Sequence, residues 1–383
     1  MHDSTTREQD RIRALLDDVA AARSGDLDHA RTLALDVRVQ ARALGLGLEE
    51  AEALYQLASI AHQRTEPDAA FALASEAVEL AERDSEANLT LAWSLHLIGV
   101  VHYQASNFAS ALDSCLRAVD VYRATRDEVN EGKILHTIAA VYQSMGDHDR
   151  AITTYEQALA VNEPLGRSDL DAMVLGNLAR IRGRRGECLP AVSLGRRAVE
   201  LARQHAPHLV GGLLADLAEA YVGLGDHASA ALCFAEARAD WEYRSADGAQ
   251  LPTGEQLAVM VSEGRVALRS GQLTDAIASF TAALELAENT GAREAQLEVH
   301  DHLATTFKQA ERFAEALRHR EAHLALHREI FTDAADLRLR TLQVAHDHQR
   351  ERHHAELVQR RTSALVAGFA NAPAAVAASH LAA

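Results

Sequence analysis

Aromatic residues, cysteine and proline are all scarce in this sequence of 383 residues. Phenylalanine, tryptophan and tyrosine together make up 4% of it, so alanine, not a large ring, is the main packing residue. The three cysteines, Cys115, Cys188 and Cys233, are far apart and odd in number. This spacing excludes a disulfide framework and a Cys-x-x-Cys motif, and it predicts a reduced, cytoplasmic protein.

Long apolar runs and a basic charge balance are also missing. No stretch approaches the ~18 apolar residues of a membrane span, and the first residues, Met1 to Glu8, lack the apolar segment of a secretory signal. The formal net charge of −17 argues against nucleic acid, which requires a concentrated basic surface. We therefore expect neither a nucleic-acid partner nor a membrane partner.

Motifs of catalysis and of cofactor binding are absent as well. The sequence has no glycine-rich phosphate loop, no His-Glu-x-x-His and no Gly-x-Ser-x-Gly. It predicts a protein that is not an enzyme, with no catalytic residues and no cofactor.

The sequence does contain a repeat with a period of about 40 residues. Eight alanines recur at steps of 40, 41, 40, 40, 39, 46 and 40 residues. They are Ala30, Ala70, Ala111, Ala151, Ala191, Ala230, Ala276 and Ala316. Glycine or alanine stands twelve residues before seven of them, and alanine stands seven residues after six of them. Small residues at fixed phases allow two helices to cross at close range, so we predict stacked helix pairs and no strands.

A short turn separates the two helices in most units, as in Gly146-Asp147, Gly225-Asp226 and Ser270-Gly271. Glycine ends the first helix and a polar residue caps the second. The pattern over roughly residues 7–330 resembles the tetratricopeptide repeat, which has a small residue, a turn glycine and two alanines at these spacings. The resemblance implies an all-α, right-handed superhelix (an α-solenoid) of about eight helix-turn-helix repeats, followed by a C-terminal helix. Since the familiar repeat has ~34 residues, the longer period predicts longer helices.

The repeat pattern divides the chain into three segments. Residues 1–331 form the array, and the step of 46 residues places a longer loop at 244–254. Residues 332–363 form a charged helix with a thin apolar stripe, through which two copies would pair as a marginal coiled-coil homodimer. Residues 364–383 form an alanine-rich tail that we expect to be disordered.

The start of the charged helix resembles a connector found in bacterial signalling proteins. The residues that match are Phe331, Arg338, Leu339, Leu342, Gln343 and Val344. In those proteins the connector joins a tetratricopeptide array to an output domain, often a diguanylate cyclase. The resemblance implies a sensory or docking half without its enzyme, and the sequence leaves open whether the chain is complete or truncated.

The inward-facing positions of the first helices are the candidate ligand-binding residues on the concave face. They are Trp93, His96, Tyr103, His136, Asn177, Arg180, Arg184, Arg265, Arg269 and Lys308. The first four form an aromatic, histidine-rich patch, and a basic cluster surrounds Arg180 in an otherwise acidic protein. Arginine binds carboxylate through two parallel hydrogen bonds and asparagine donates to a peptide backbone, so this groove is suited to an acidic or carboxylate-bearing peptide.

Two structural alternatives stand beside this hypothesis. In the first, the arginines form ion pairs across neighbouring repeats instead of binding a ligand, with Asp216, Glu219 and Glu187 as their partners. In the second, Trp93 and Tyr103 are partly buried packing residues and not a binding platform.

Histidine is frequent, with 20 in the chain, and three of these residues share a helical face. His319, His323 and His327 lie at i, i+4 and i+8, with Glu315 one turn earlier, a spacing that permits zinc binding. The alternative is that they are polar surface residues, and we predict no metal site.

Three functions are compatible with these features. The first, which we favour, is a non-catalytic module that docks another protein in a bacterial signalling pathway. The second is a sensor of a peptide or small ligand, and the third is a cyclic-dinucleotide signalling enzyme that has lost its output domain.

Overall fold

The computed structural model describes residues 2–83, 88–246 and 253–332, together with Ala335 and Leu339. Within these ranges all regular structure is helical, and no strand occurs. The described residues fall into two compact units, one over residues 1–80 and one over residues 81–335. None of the described helices is long and apolar enough to span a membrane.

Sixteen α-helices are present in the described ranges, and they follow one another as eight helix-turn-helix pairs. The first unit contains α1 (His2–Ala22), α2 (Leu27–Leu44), α3 (Gly47–Gln63) and α4 (Pro67–Ala81). The second unit begins with α5 (Asn88–Gln104), α6 (Phe108–Thr125), α7 (Glu128–Ser144), α8 (His148–Asn162), α9 (Ser168–Arg184) and α10 (Cys188–His205). It continues with α11 (Val210–Gly223), α12 (His227–Ala246), α13 (Thr253–Arg269), α14 (Leu273–Thr290), α15 (Arg293–Gln309) and α16 (313–332). The predicted all-α solenoid of eight helix pairs is confirmed.

The repeating alanines lie where the two helices of a pair cross. All of those from Ala30 to Ala276 are at most 1% exposed on the second helix of their pair, whereas Ala316 on α16 is partly exposed. A small residue is also needed on the first helix of the pair, where that helix faces the second. A Cβ atom at Gly99 would come within 2.4 Å of the sulfur of Cys115. Larger side chains at these positions would overpack the crossing.

The turn within a pair uses one residue in the left-handed region. Gly146, Gly186, Gly225 and Gly271 hold this position with φ between 74° and 79°. The following helix is then capped by a side chain in several units. Asp147, for example, accepts a hydrogen bond from the backbone N–H of Arg150 at 3.2 Å. In three other pairs the left-handed residue is Thr65, Ser106 or Glu311, with φ between 55° and 59°.

The extra residues of the long period lie in the helices. The pair formed by α5 and α6, for example, has helices of 17 and 18 residues. Of the predicted loop at 244–254, Arg244 belongs to α12 and Gly254 to α13, while residues 247–252 lie outside the described ranges. The predicted connector (332–363) and tail (364–383) lie outside them too, except for Thr332, Ala335 and Leu339.

Candidate functional site

Polar side chains on the first helices of the second unit contact one another from repeat to repeat. His96 Nε2 lies 3.1 Å from Thr137 Oγ1, and the Tyr103 hydroxyl lies 3.1 Å from Ser144 Oγ. Each contact joins residues 41 positions apart, which is one repeat. We call this row of polar side chains on α5, α7, α9, α11 and α13 the inner tract.

Helical periodicity explains why these residues share one side of the array. Asn177, Arg180 and Arg184 stand at i, i+3 and i+7 on α9, and His96 and Tyr103 are seven residues apart on α5. Side chains at these spacings project from the same helical face. The same register in each first helix therefore aligns them along the tract.

A hydrogen-bonded chain links His136 on α7 to two residues of α9. Asn177 Nδ2 lies 3.1 Å from His136 Nε2, and the Asn177 side-chain oxygen accepts a hydrogen bond from Arg180. Since an amide nitrogen only donates, His136 Nε2 is the acceptor and the imidazole is neutral. Burial, with a further contribution from the charge of Arg180, lowers the pKa of His136 and favours this state.

The aromatic and histidine-rich part of the tract is packed into the repeats. Burial lowers the pKa of His96 to about 4, and the charge of Lys133 and the neighbouring His136 act in the same direction. The ring of Tyr103 lies 6.0 Å from that of Phe108, and Trp93 on α5 is half-buried. These contacts favour the packing alternative for Trp93 and Tyr103.

Four of the predicted arginines converge on one cavity of about 370 Å³ between α9, α11 and α13. We call it the arginine cavity. Its lining consists of Ala179, Arg180, Gly183, Arg184, Gly186, Cys188, Asp216, Glu219, Ala220, Gly223, Arg265 and Arg269. Four guanidinium groups thus face two carboxylates, a local excess of positive charge in an acidic chain.

Asp216 is the carboxylate most affected by this environment. Its Oδ2 lies 4.0 Å from Arg180 Nη1, a long contact for an ion pair. Burial raises the pKa of Asp216 to about 6, although the charges of Arg180, Arg265 and Arg184 oppose the shift.

The four arginines differ in what they contact. Arg265 binds Glu219 and donates to Glu298 Oε1 at 2.8 Å and to Ser262 Oγ at 3.0 Å. Arg184 and Arg269, in contrast, are exposed and form no ion pair with any residue that the structure describes. Arg265 therefore links neighbouring repeats, and Arg180 lies near Asp216 of the next repeat. Arg184 and Arg269 remain available to an anion.

The ion-pair alternative applies to the other arginines of the basic cluster. Arg182 pairs with Glu187 at 2.7 Å and with Glu156 at 3.1 Å. Arg185 pairs with Asp149 at 2.6 Å and with Glu187 at 3.3 Å. These two side chains are engaged within and between repeats, as that alternative predicts.

Some residues of the site do not follow the sequence prediction. Lys308 is exposed on α15 and, like Trp93, does not line the arginine cavity. Cys188 and Gly223 do line it, and they were not among the predicted site residues. A Cβ atom at Gly223 would come within 2.4 Å of the Cys188 sulfur, so glycine is needed for the close approach of α11 to α10. The glycines at 183 and 186 among the arginines at 182, 184 and 185 are the sequence signal that could have revealed this cavity.

Two of the three predicted histidines of α16, His319 and His323, contact α15, whereas the His327 ring lies 6.5 Å from that of Phe331 on α16 itself. The His319 ring stacks on Phe307 at 5.4 Å and its Nδ1 lies 3.0 Å from His300 Nδ1. His323 Nδ1 lies 3.0 Å from the carbonyl oxygen of Leu297. The side chains of His319 and His323 are partly buried, whereas His327 is exposed, as the surface alternative predicts. Among the described residues no group of three or more His, Cys, Asp or Glu side chains is placed to hold a metal ion.

Part of the repeat array matches a family model, and its fold resembles that of solved structures. The tetratricopeptide repeat family model matches residues 49–124 and 130–204. No curated protein matches the chain. The solved structures with a similar fold include the apo form of RapI, with a TM-score of 0.61 and 15% identity over 73% of this chain and 98% of that one.

Two further structures extend this comparison. The apo form of the quorum sensor NprR from B. thuringiensis has a TM-score of 0.63 and 14% identity, over 82% of this chain and 87% of that one. The Rap conjugation gene regulator of the plasmid pLS20, in complex with the Phr* peptide, has a TM-score of 0.53 and 11% identity, over 82% and 96%. At these identities the likeness concerns the fold alone. The chain is thus a helical-repeat protein, and two stretches of it, residues 49–124 and 130–204, match the tetratricopeptide repeat model.

Proposed function

We propose that this protein is a non-catalytic regulatory module that binds a carboxylate-bearing peptide, or such a segment of a partner protein, along the inner tract. The ligand's carboxylate contacts Arg184 and Arg269 at the arginine cavity. The rest of the ligand follows the tract toward α5, past Asn177 and His136. This proposal joins protein docking to peptide sensing, because both use the same face.

The observation that carries the proposal is the pair of guanidinium groups without an ion-pair partner among the described residues. Arg184 and Arg269 border a cavity of about 370 Å³ that also contains Arg180 and Arg265. The chain as a whole has a net charge of −17, so a local excess of cations is uncommon on its surface. Bidentate hydrogen bonds from guanidinium to carboxylate are among the stronger polar contacts in proteins.

The backbone of a bound peptide would compete for the hydrogen bonds of the tract. Asn177 and His136 satisfy each other in the free protein. A bound peptide would replace this contact with two of its own: one of its carbonyl oxygens accepts from Asn177 Nδ2, and one of its N–H groups donates to His136 Nε2. The exchange is then close to neutral in energy. The carboxylate contact is then the main source of affinity and orientation.

Two of the structures with a similar fold support a regulatory role. One is described as a quorum sensor, and one is a conjugation gene regulator in complex with a peptide. We extend this to the present chain as a hypothesis: binding of a peptide controls a further partner. The pairing of first helices through contacts such as His96 to Thr137 gives a ligand in the tract a way to alter the spacing of repeats.

A free-acid peptide library tests the proposal directly. The intact protein is incubated with an immobilised library of short random peptides that end in a free carboxylate, and with the same library amidated at the C-terminus. We expect acid-dependent binding, which is lost in the Arg184→Gln/Arg269→Gln variant. Binding that is equal for both libraries, or that the variant retains, would contradict the proposed site.

A matched control separates the site from general electrostatics. Arg31 and Arg83 are exposed and lie outside the cavity, so Arg31→Gln/Arg83→Gln removes the same charge elsewhere. This control should bind like the intact protein. A pull-down from native extract with the same three proteins then identifies the natural partner, which should be captured by the intact chain and by the control alone.

We further propose that the protein works in a reducing compartment such as the cytoplasm. All three cysteines are free thiols, and Cys115 and Cys233 are buried. Burial raises the pKa of Cys115 to about 12 and that of Cys233 to about 11, so neither is reactive. The diguanylate-cyclase connector, the homodimer through 332–363 and the lost output domain stay predictions, since nearly all of that segment lies outside the described residues.

A further inference from the structure

The arginine cavity contains two carboxylates, Asp216 and Glu219, which are held in different ways. They stand three residues apart on α11 and so share one helical face. Glu219 Oε1 accepts hydrogen bonds from Ser262 Oγ at 2.7 Å and from Arg265. Asp216 accepts none from any residue that the structure describes, and its contact with Arg180 is an ion pair at 4.0 Å. The negative charge of Asp216 is therefore stabilised by nearby cations and not by a hydrogen bond.

Charged and titratable groups face Asp216 from each helix that lines the cavity. They are Arg180 and Arg184 on α9, Cys188 on α10, Glu219 on α11 itself, and Arg265 and Arg269 on α13. Burial and the charge of Glu219 favour the protonated form of Asp216, whereas the charges of Arg180, Arg265 and Arg184 favour the ionised form. Burial is the largest of these effects, and it raises the pKa of Asp216 to about 6.

Two further titratable groups contact the arginines of the cavity. His136 does so through Asn177, and burial lowers the pKa of this histidine. Glu298 does so directly, and its interaction with His302 lowers the pKa of the carboxyl. Both shifts lead away from neutral pH, and no histidine is among the described residues that line the cavity. Asp216 is thus placed to take up a proton close to neutral pH.

A ligand carboxylate in the cavity would change the balance of charge around Asp216. By binding Arg184 it would neutralise one of the three cations that stabilise the ionised side chain. It would also add a third negative charge to a cavity of about 370 Å³ that already contains Asp216 and Glu219. Charges within about 10 Å of each other in a partly buried site are only weakly screened by salt. The ligand and an ionised Asp216 therefore oppose each other.

We propose that Asp216 takes up a proton when the carboxylate of the ligand enters the arginine cavity, so that the site binds its ligand more tightly at mildly acidic than at neutral pH. This inference rests on the proposed function, because it concerns the regulation of the same site. A ligand that promotes protonation of Asp216 must, by thermodynamic linkage, bind the protonated form more tightly. The protonated carboxyl also has an O–H group, which donates to the ligand carboxylate instead of repelling it.

The pH dependence of peptide binding tests this inference. The free-acid library and its amidated counterpart are applied to the intact protein at pH 8 and at pH 6, over a range of protein concentrations. The amidated library gives the baseline at each pH, and a C-terminal carboxyl, whose ordinary pKa is about 3.5, is ionised at both. We expect the acid-dependent binding to be at least about threefold tighter at pH 6. Equal affinity at the two pH values would overturn the proposal.

Two variants test whether Asp216 causes the pH dependence. Asp216→Asn is neutral at both pH values, so it should bind the free-acid library at pH 8 at least as tightly as the intact protein does at pH 6. Asp113 is exposed on α6 and lies outside the cavity, so Asp113→Asn makes the same change of charge elsewhere. This control should retain the pH dependence of the intact protein. The same pH dependence in Asp216→Asn would contradict the proposal.

Calorimetry on the intact protein counts the protons without a substitution. A free-acid peptide that the intact protein retains is synthesised and titrated into it near pH 6.5, in MES and in bis-Tris buffer. Because these buffers differ in their heat of ionisation, the difference in binding heat gives the number of protons taken up. We expect net uptake of up to about one proton, and none in Asp216→Asn. Acid-dependent binding without proton uptake would overturn this inference alone, whereas the absence of acid-dependent binding at either pH would contradict the proposed function and this inference with it.

Discussion

Gly264 on α13 lies against the ring of Phe280 on α14, so closely that a Cβ atom at position 264 would stand 2.5 Å from Cε1 of the ring. Phe280 is fully buried, and its ring stacks on that of His302 with the centroids 4.9 Å apart. We therefore expect Gly264→Ala to lower the free energy of unfolding by about 1–3 kcal/mol. Urea unfolding followed by circular dichroism measures this change.

A second glycine serves as the control for that substitution. A Cβ atom at Gly212 on α11 would meet no other atom within 4 Å, so alanine fits there. Gly212→Ala should raise the free energy of unfolding by about 0.5–1 kcal/mol, because alanine is the better helix former. A loss of stability in both variants would mean that helix crossing is not what requires glycine at 264.

The repeat architecture could be predicted because its cause is local and recurs. Gly264 and Ala283 stand at fixed distances from Ala276, and the same spacing appears in most other units. Each repeat packs mainly against its neighbours, so a pattern within about 40 residues contains the information for the fold. The inward-facing side of the first helices follows from helical periodicity in the same way.

Which of the inward-facing arginines form ion pairs could not be predicted from the sequence. Arg265 and Arg269 both face inward by periodicity, yet Arg265 is bound by Glu219 and Glu298 while Arg269 is exposed without an ion pair in the described structure. The difference depends on distances between side chains of separate repeats. These distances depend on how the helices cross and on which rotamers the side chains adopt. The periodicity of residues along a single helix determines neither.

This difference between the arginines gives a stability prediction. Arg265→Gln leaves the partly buried carboxylate of Glu219 without its cation, and we expect a loss of about 1–3 kcal/mol in the free energy of unfolding. Arg184→Gln/Arg269→Gln removes no ion pair of the described structure and should stay within about 0.5 kcal/mol of the intact protein. Chemical unfolding of both variants checks this, and the reverse order would show that the exposed pair is structural.

The pH dependence of stability should reflect His96. Its pKa in the folded protein is about 4 because of burial, below the ordinary value of 6.5. As pH falls below about 6.5 the unfolded chain takes up the proton first, so stability decreases until the folded pKa is passed. His96→Gln removes this proton uptake from the pH dependence of stability. Between pH 7 and about pH 4.5 the variant should lose about 2 kcal/mol less than the intact protein in urea unfolding.

Asp216 should change the pH dependence of stability in the opposite direction to His96. Burial raises its folded pKa to about 6 from the ordinary 3.8, so the folded protein binds the proton first as pH falls from about 6. This carboxyl therefore adds stability on acidification and costs stability at neutral pH. Asp216→Asn should be more stable than the intact protein at pH 7 and should lose stability more steeply toward pH 4. An unchanged pH profile would show that Asp216 is ionised and solvated in the folded state.

Ser106, in the turn between α5 and α6, adopts the left-handed conformation that glycine provides in four other pairs. Its φ is 55°, and its backbone N–H donates to the carbonyl of Tyr103 at 2.9 Å. A residue with a side chain is strained there by about 1 kcal/mol, while glycine is not. Ser106→Gly should therefore raise the thermal midpoint, and the reverse change at the equivalent turn, Gly146→Ser, should lower it. Because both substitutions exchange the same two residues at the same turn position, shifts of equal sign would show that backbone strain does not decide the choice.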